Sequence, residues 1–400
     1  MSLRASLLRE RAGHGHEKVT TVELFFDLVF VFAVTQLSHS LLEDFSLLGG
    51  FKTLLLTLGV WWVWIYTSWV TNWLDPDKTP TRLLLLVLML AGLILSASIP
   101  EAFEHRAASF ACAYVFMQVG RTLYFLWAVA GHPTMVANFQ RILVWLLLSA
   151  VFWLAGAWFD AWRLPLWVVA LAVEFISPSL GFYVPRLGRS RTSDWDVEGG
   201  HLSERCGLFV IIALGESILV TGATFAKLQW DAATIAAFVS AFVGSLAMWW
   251  IYFDAAADSG TTQIVESKDP GRLARVTYTY IHLLIVAGII VSAVGDEFLL
   301  AHPLGHASTP ATVAVIGGAV LYLVGNSLFK FSISGKLPYS HVSGAVGLAA
   351  AAGLSPWLPP LALGATTAAI LLGVAAWDAH RNRGWTPAEE EAEAESSSEA

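Results

Sequence analysis

Long apolar stretches recur along the whole chain of 400 residues and set the first limit on its fold. Hydropathy separates twelve of them, and most come close to the ~20 residues that a helix needs to cross a bilayer. Their centres are Phe30, Trp62, Leu90, Val115, Leu148, Val169, Ala213, Val243, Ile285, Leu321, Gly347 and Ile370. The eleventh, from Val342 to Gly353, is rich in Gly and Ala and is the weakest. Because backbone groups in lipid must bond within their own segment, we expect an all-α polytopic membrane protein with about twelve transmembrane helices.

The composition agrees with this expectation. Apolar residues make up 56% of the chain and charged residues 14%, whereas a soluble domain carries about 25% charged residues. The net charge of −8 comes largely from the acidic tail Glu389–Glu395, which is predicted to be disordered. The expected partners are the lipid bilayer and an ion or small solute. No nucleic acid is expected, and homo-oligomerisation is left open.

Basic residues predict the orientation, because cytoplasmic loops retain Lys and Arg. With both termini in the cytoplasm, the inner segments hold eighteen basic residues, Arg205 among them, and the outer loops hold four. Arg121 is the one basic residue inside a predicted span. No short apolar core with a small-residue cleavage site precedes Val22, so the first span is expected to be retained.

Short sequence matches recur in the same order in two halves of the chain. Ala91–Ala97 is echoed by Ala287–Ala293, Trp64-Ile65-Tyr66 by Trp250-Ile251-Tyr252, and Val119–Leu123 by Val324–Leu328. An even number of spans per copy predicts two parallel six-helix repeats related by an axis along the membrane normal. The predicted units are a cytoplasmic N-terminal segment (1–21), the first repeat (22–184), a basic cytoplasmic linker (185–201), the second repeat (202–380) and the acidic tail (381–400).

Charged side chains inside the predicted spans are the candidates for function. Asp27, Arg121, Glu174 and Glu216 would together cost roughly 10 to 14 kcal/mol if they were ionised and unpaired in lipid. They are therefore expected to pair, to take up protons or to meet water. One interpretation is a path for a solute or a proton. The alternative is a buried network, with Arg121 bonded to a carboxylate, that only fixes helix packing.

Further candidates follow from position in the helices. Glu23 and Asp27 are four residues apart and share one helix face. Glu23 and Glu204 lie near helix entrances, where capping is the expected role of a carboxylate. Glu216 lies thirteen residues beyond Ser203, roughly 19 Å into the bilayer. The complete candidate set is Glu23, Phe26, Asp27, Thr35, Arg121, Glu174, Glu204, Glu216 and Ser217.

Two segments resemble the low temperature requirement A (LtrA) family of bacterial membrane proteins. These are Glu23-Leu24-Phe25-Phe26-Asp27-Leu28-Val29-Phe30-Val31-Phe32-Ala33 with Thr35-Gln36-Leu37, and Ile211-Ile212-Ala213-Leu214-Gly215-Glu216-Ser217-Ile218. The resemblance implies a multi-pass protein of the bacterial plasma (inner) membrane that is linked to growth in the cold. It implies no defined biochemical activity.

The first helix is also similar, more distantly, to that of the potassium channels that lack a re-entrant pore loop. The similar stretch is Phe25–Thr35, with Phe26 at the position of the serine in the Phe-Ser-Asp motif of that family. Those channels are built from six-helix repeats whose first helix lines the pore. This likeness implies a pore-lining role for the first helix.

No phosphate-binding loop, zinc motif or nucleophile elbow occurs in the sequence. His14-Gly15-His16 is too weak a pattern to indicate a metal, so no metal, no cofactor and no enzymatic activity are expected. The leading hypothesis is a membrane protein that moves an ion or small solute, with the first and seventh helices facing each other. The alternatives are a cation channel of the pore-loop-free type, a lipid-modifying enzyme that uses Asp254 and Asp258, and a structural or sensory membrane protein.

Overall fold

The computed structural model describes residues 7–9, 18–191, 195, 197–254 and 270–382. Within these ranges the chain forms twelve helical segments in sequence, and its only β-type pairings are two isolated bridges. The helices are α1 (Thr21–Glu43), α2 (Leu47–Trp73), α3 (Thr79–Ser98), α4 (Ala107–Val115, the π-helical turn Phe116–Gly120, then Arg121–Ala128), α5 (Pro133–Trp158), α6 (Arg163–Ile176), α7 (Gly199–Phe225), α8 (Ala232–Phe253), α9 (Pro270–Ala274, the π-helical turn Arg275–Ile281, then His282–Ala301), α10 (Thr309–Ser334), α11 (Tyr339–Leu354) and α12 (Pro360–Asn382).

Among the described residues, nine helices are long and apolar enough to cross a membrane. The prediction of a multi-pass helical membrane protein is thereby confirmed. The other three helices are α4, which its π-helical turn divides, α6 with 14 residues and α11 with 16. The short α11 coincides with the weakest predicted span. Large side chains such as Leu90 and Val151 are exposed on the outer faces, as a lipid-facing surface requires.

Local capping explains where several helices begin. The Ser46 hydroxyl accepts a hydrogen bond from the backbone of Gly49 at the start of α2, and Ser308 does the same for Ala311 in α10. Asp231 caps α8 through the backbone N–H of Thr234, and this hydrogen bond lowers the pKa of the Asp231 carboxyl. These caps lie in the loops between apolar segments and fix where each helix starts.

The helices pair in the same order in the two halves of the chain. In the first half α1 packs on α2 and α3, α3 on α4, α4 on α5, α5 on α6, and α2 on α6. In the second half the corresponding pairs α7–α8, α7–α9, α9–α10, α10–α11, α11–α12 and α8–α12 are all in contact. Between the halves, α1 contacts α7 and α9, and α2 contacts α7. The first and seventh helices therefore do face each other, as expected.

Small residues allow α9 and α10 to approach closely. A β-carbon on Gly288 would lie 2.5 Å from the backbone nitrogen of Tyr322, and one on Gly318 would lie 2.5 Å from the backbone nitrogen of Ser292. At the matching position of the first half, a β-carbon on Gly92 would lie 3.2 Å from the side chain of Val29 on α1 and 3.4 Å from that of Met117 on α4. Gly288 therefore meets the backbone of the following helix, whereas Gly92 meets only side chains.

Candidate functional site

A buried ion pair joins α1 to α7 at the interface between the two halves. Arg205 Nη2 lies 2.7 Å from Asp27 Oδ1, and both side chains are completely buried. Trp64 of α2 donates from Nε1 to the same carboxylate oxygen at 2.8 Å. Among the described residues, neither Asp27 Oδ2 nor Arg205 Nε has a hydrogen-bond partner. The pair is therefore buried and only partly satisfied, which is a costly arrangement for two charges.

Glu23 extends this ion pair by one helical turn. Its Oε1 lies 3.2 Å from Arg205 Nη1 and 2.8 Å from His201 Nε2, and its Oε2 lies 3.1 Å from Arg9 Nη2. Glu23 also closes a capping box with Thr20 at the start of α1, as a capping carboxylate should. The four-residue spacing does place Glu23 and Asp27 on one face, where they share Arg205.

The residues before α1 hold this network against the end of α2. Arg9 donates its backbone N–H to Trp73 O at 2.9 Å and its Nε to Thr71 O at 2.8 Å. On the other side, Asn72 Nδ2 donates to Glu198 O at 2.8 Å, at the residue that caps α7. We call Arg9, Glu23, Asp27, His201 and Arg205 the inner charge cluster. It ties together the N-terminal ends of α1 and α7 and the C-terminal end of α2.

Aromatic rings fill the space beyond the inner charge cluster. Phe26 and Phe30 of α1 have ring centroids 5.2 Å apart, and Phe209 of α7 lies 4.4 Å from Trp64 and 5.5 Å from Trp61. All five side chains are buried. Phe26, a predicted site residue, lies level with the inner charge cluster, between Glu23 and Asp27 in α1. It packs on Phe30, which forms with Phe209 an aromatic section toward the opposite end of α1 and α7.

A second polar group lies at that opposite end. Glu216 of α7 is 4% exposed and neighbours Thr35 and His39 of α1. Ser217 lies 3.4 Å from Ser245 Oγ of α8 and 3.4 Å from Asp296 Oδ2 of α9. We call Thr35, Glu216, Ser217, Ser245 and Asp296 the outer polar cluster. It brings together three predicted residues, Thr35, Glu216 and Ser217, and two that are not in the predicted set, Ser245 and Asp296.

Arg121 corrects one prediction. No carboxylate lies within ion-pair distance of it among the described residues. It donates instead to Thr67 Oγ1 at 3.0 Å, to Val63 O at 3.2 Å and to Gln118 Oε1. The expected bond from Arg121 to Asp27, Glu174 or Glu216 is thus wrong, because hydroxyl, carbonyl and amide oxygens inside the first half accept from both of its Nη atoms instead.

Glu174 of α6 has four donors around its carboxylate. Ser149 Oγ and Trp153 Nε1 lie 2.5 and 3.2 Å from Oε1, while Tyr114 Oη and Gln118 Nε2 lie 2.7 and 3.0 Å from Oε2. Gln118, in the π-helical turn of α4, accepts from Arg121 and donates to Glu174. The amide therefore links the two charges without direct contact, and π-helical turns occur frequently at functional sites.

Glu204 does not cap α7, which begins five residues earlier at Gly199. Its Oε2 accepts instead from the backbone N–H of Val19, just before α1. The predicted capping role is wrong for its own helix, because Glu198 holds that position and accepts from Gly200 N and His201 N. Glu204 is one more contact between α7 and the chain that leads into α1.

Several contributing residues are missed by the sequence patterns. Arg205 counts among the basic residues of the inner loop, but the structure buries it in α7. The available signal was the apolar run that follows it directly, Cys206–Leu214. Asp296 stands inside an apolar stretch and carried the same signal as Glu216. His14-Gly15-His16, Asp258 and the acidic tail from residue 383 lie outside the described residues.

One family model matches most of the chain. The model of the bacterial low temperature requirement A protein (LtrA) matches residues 18–376. An uncharacterized protein of Rhizobium meliloti (strain 1021) is 43% identical over 364 residues, which cover 90% of this chain and 89% of the relative. No solved structure matches the chain. The likeness of α1 to potassium channels stays a prediction. With a family model covering nearly all of its helices, the chain belongs to the bacterial LtrA family.

Proposed function

We propose that this protein is a carrier that moves an ion or small solute across the bacterial inner membrane, along the interface between α1 and α7. One observation carries the proposal. The same two helices bear polar clusters at both ends and an aromatic section between them. Asp27 and Thr35 are eight residues apart and Arg205 and Glu216 eleven, roughly 12 and 16 Å along the helix axes. A dry section of this length between two polar ends is what an occluded carrier requires.

The inner charge cluster has the properties of a gate. A buried ion pair adds little net stability, because desolvation offsets its Coulomb attraction. Its contacts also join the two halves at one end only. Breaking Asp27–Arg205 and separating the ends of α1 and α7 would open the inner side and leave the outer polar cluster in place. Rocking of one half against the other is the usual form of alternating access.

The proposal includes twelve crossings as two parallel six-helix repeats, with both termini in the cytoplasm. The matching helix pairs in the two halves support the repeats. The interrupted helix α4 and the short helices α6 and α11 occupy the fourth, sixth and eleventh places that hydropathy assigns to spans. The excess of basic residues in the inner segments supports the orientation.

Proton coupling is assigned to Glu216. Within the described part of the chain no Lys, Arg or His makes an ion pair with its carboxylate, which is almost fully buried in an apolar helix. A carboxyl group in that setting can take up and release a proton when a water-filled path reaches it. Glu216 lies next to Ser217, which contacts α8 and α9. The charge of Glu216 therefore acts on the contacts of α7 with these two helices.

The test is ion flux through the purified protein in lipid vesicles that contain a pH-sensitive dye. We expect a Na⁺ or K⁺ gradient to drive a pH change that saturates with concentration. Glu216→Gln should abolish this coupling and keep the melting temperature. Glu174→Gln is the matched control, because it replaces a buried carboxyl group that lies outside the interface. Folded Glu174→Gln protein should keep the coupling. Fast flux without saturation would indicate a channel, and lipid turnover without flux an enzyme.

A further inference from the structure

A polar cavity lies between α8, α9 and α12, one helix away from the interface between the halves. Its polar lining comes from Ser240, Ser245, Ser292, Asp296 and Thr367, and apolar side chains close the rest. The cavity measures about 30 Å³, which is room for about two or three water molecules. A space of this size suits a small ion or a few waters.

Three polar groups at this cavity, two buried hydroxyls and the half-buried carboxylate of Asp296, lack close partners within the described ranges. In the part of the chain that the structure describes, the hydroxyls of Ser240 and Ser292 have no hydrogen-bond partner, although each residue is only 9% exposed. Asp296 has no Lys, Arg or His within ion-pair distance in the described ranges, and its bond to Ser217 is long at 3.4 Å. An unpaired carboxylate in an apolar bundle and unsatisfied buried hydroxyls are each costly. A small cation among them would satisfy all three.

We infer that this cavity binds one monovalent cation, with Asp296 as its charged ligand and the hydroxyls of Ser240, Ser245, Ser292 and Thr367 as neutral ligands. One carboxylate balances one positive charge. Oxygen atoms are the donors that hard cations prefer, but Ca²⁺ takes six to eight oxygen ligands, commonly from several carboxylates, and Mg²⁺ keeps several waters. The small volume excludes organic cations. Sodium is the ion that this ligand set and volume fit best.

Ser217 connects this site to the interface between the halves. It contacts Asp296 and Ser245 and directly follows Glu216 in α7. Filling the cavity therefore changes the charge and the hydrogen bonds next to the carboxyl assigned to proton exchange. The role of the site in transport rests on the proposed function. In that function, the monovalent cation is the transported or the coupled ion.

The test measures equilibrium binding to the full-length purified protein, so that it does not depend on transport. The melting temperature is followed while NaCl replaces choline chloride at constant ionic strength, and sodium binding is measured by titration calorimetry. We expect the melting temperature to rise with sodium, because a ligand that binds only the folded state stabilises it. Asp296→Asn should weaken sodium binding at least tenfold.

Glu297→Gln is the matched control. This neighbouring carboxylate is bonded to Thr224 at 2.6 Å, does not line the cavity and should leave sodium binding unchanged. Should Asp296→Asn fail to fold, Ser240→Ala and Ser292→Ala are milder variants. Each removes an unsatisfied hydroxyl, so each should keep the melting temperature in choline and weaken sodium binding several-fold.

Equal melting temperatures in sodium and choline would overturn the inference, as would tighter binding of Ca²⁺ than of Na⁺ or sodium binding that Asp296→Asn leaves intact. The two proposals fail separately. Sodium binding without flux would refute the carrier and keep the site. Sodium-driven flux that Asp296→Asn does not change would keep the carrier and refute the role of the site.

Discussion

Arg205 of α7 and Asp27 of α1 form an ion pair of 2.7 Å in the interior of the protein, between residues 178 positions apart in the chain. This contact holds the two halves together at one end of their interface. In the proposed mechanism it must break when the inner side opens. The contribution of this ion pair to the free energy of unfolding is therefore the first property to measure.

Arg205→Met should destabilise the protein by about 3 to 5 kcal/mol, because it leaves Asp27 buried without its cation. The double variant Asp27→Leu with Arg205→Met should recover most of that loss, since no unpaired charge remains. Denaturation of both variants in detergent measures the difference. If the double variant is as unstable as the single one, the contact is packing rather than charge pairing.

Gln118→Leu should lower the free energy of unfolding by about 1 to 3 kcal/mol. The reason is that Arg121 loses an acceptor and Glu174 loses a donor in a buried environment. Gln140→Leu on the exposed face of α5 is the control and should change the melting temperature little. A Gln118→Leu variant as stable as the control would show that the amide does not link the two charges.

Gly288→Ala should destabilise the α9–α10 pair by about 1 to 3 kcal/mol, because the new methyl group would meet the backbone of Tyr322. Gly373→Ala in α12 has open space and should be neutral or stabilising by up to about 1 kcal/mol. Thermal unfolding of the two variants side by side measures the contrast. Equal effects would mean that α9 and α10 are not in close contact.

Cysteine labelling tests the orientation. In a background with Cys112 and Cys206 replaced by serine, Leu47→Cys at the start of α2 should react with a membrane-impermeant maleimide that reaches the outer face of the plasma membrane. Leu337→Cys, between α10 and α11, should react only after the inner membrane is opened. Both positions are exposed, so access depends on the side of the membrane. The reverse pattern would place both termini outside the cytoplasm.

The sequence by itself determined the elements and their environment. Hydropathy places each of the twelve helices, because the hydrophobicity of about 20 consecutive residues is a local property. The spacing of Glu23 and Asp27 fixes their shared face for the same reason, since neighbours on a helix surface depend on helical geometry alone. The depth of Glu216 in α7 likewise follows from counting residues along a helix.

The tertiary structure decided which charges meet. Arg121 and Arg205 are equally able to pair with Asp27 by chemistry, and only the packing of α1 on α7 selects Arg205. The same holds for the cavity at Asp296, whose proposed hydroxyl ligands come from three separate helices, α8, α9 and α12. Such contacts depend on the rotation and spacing of whole helices. Those are set by the sum of many side-chain contacts and not by any local pattern.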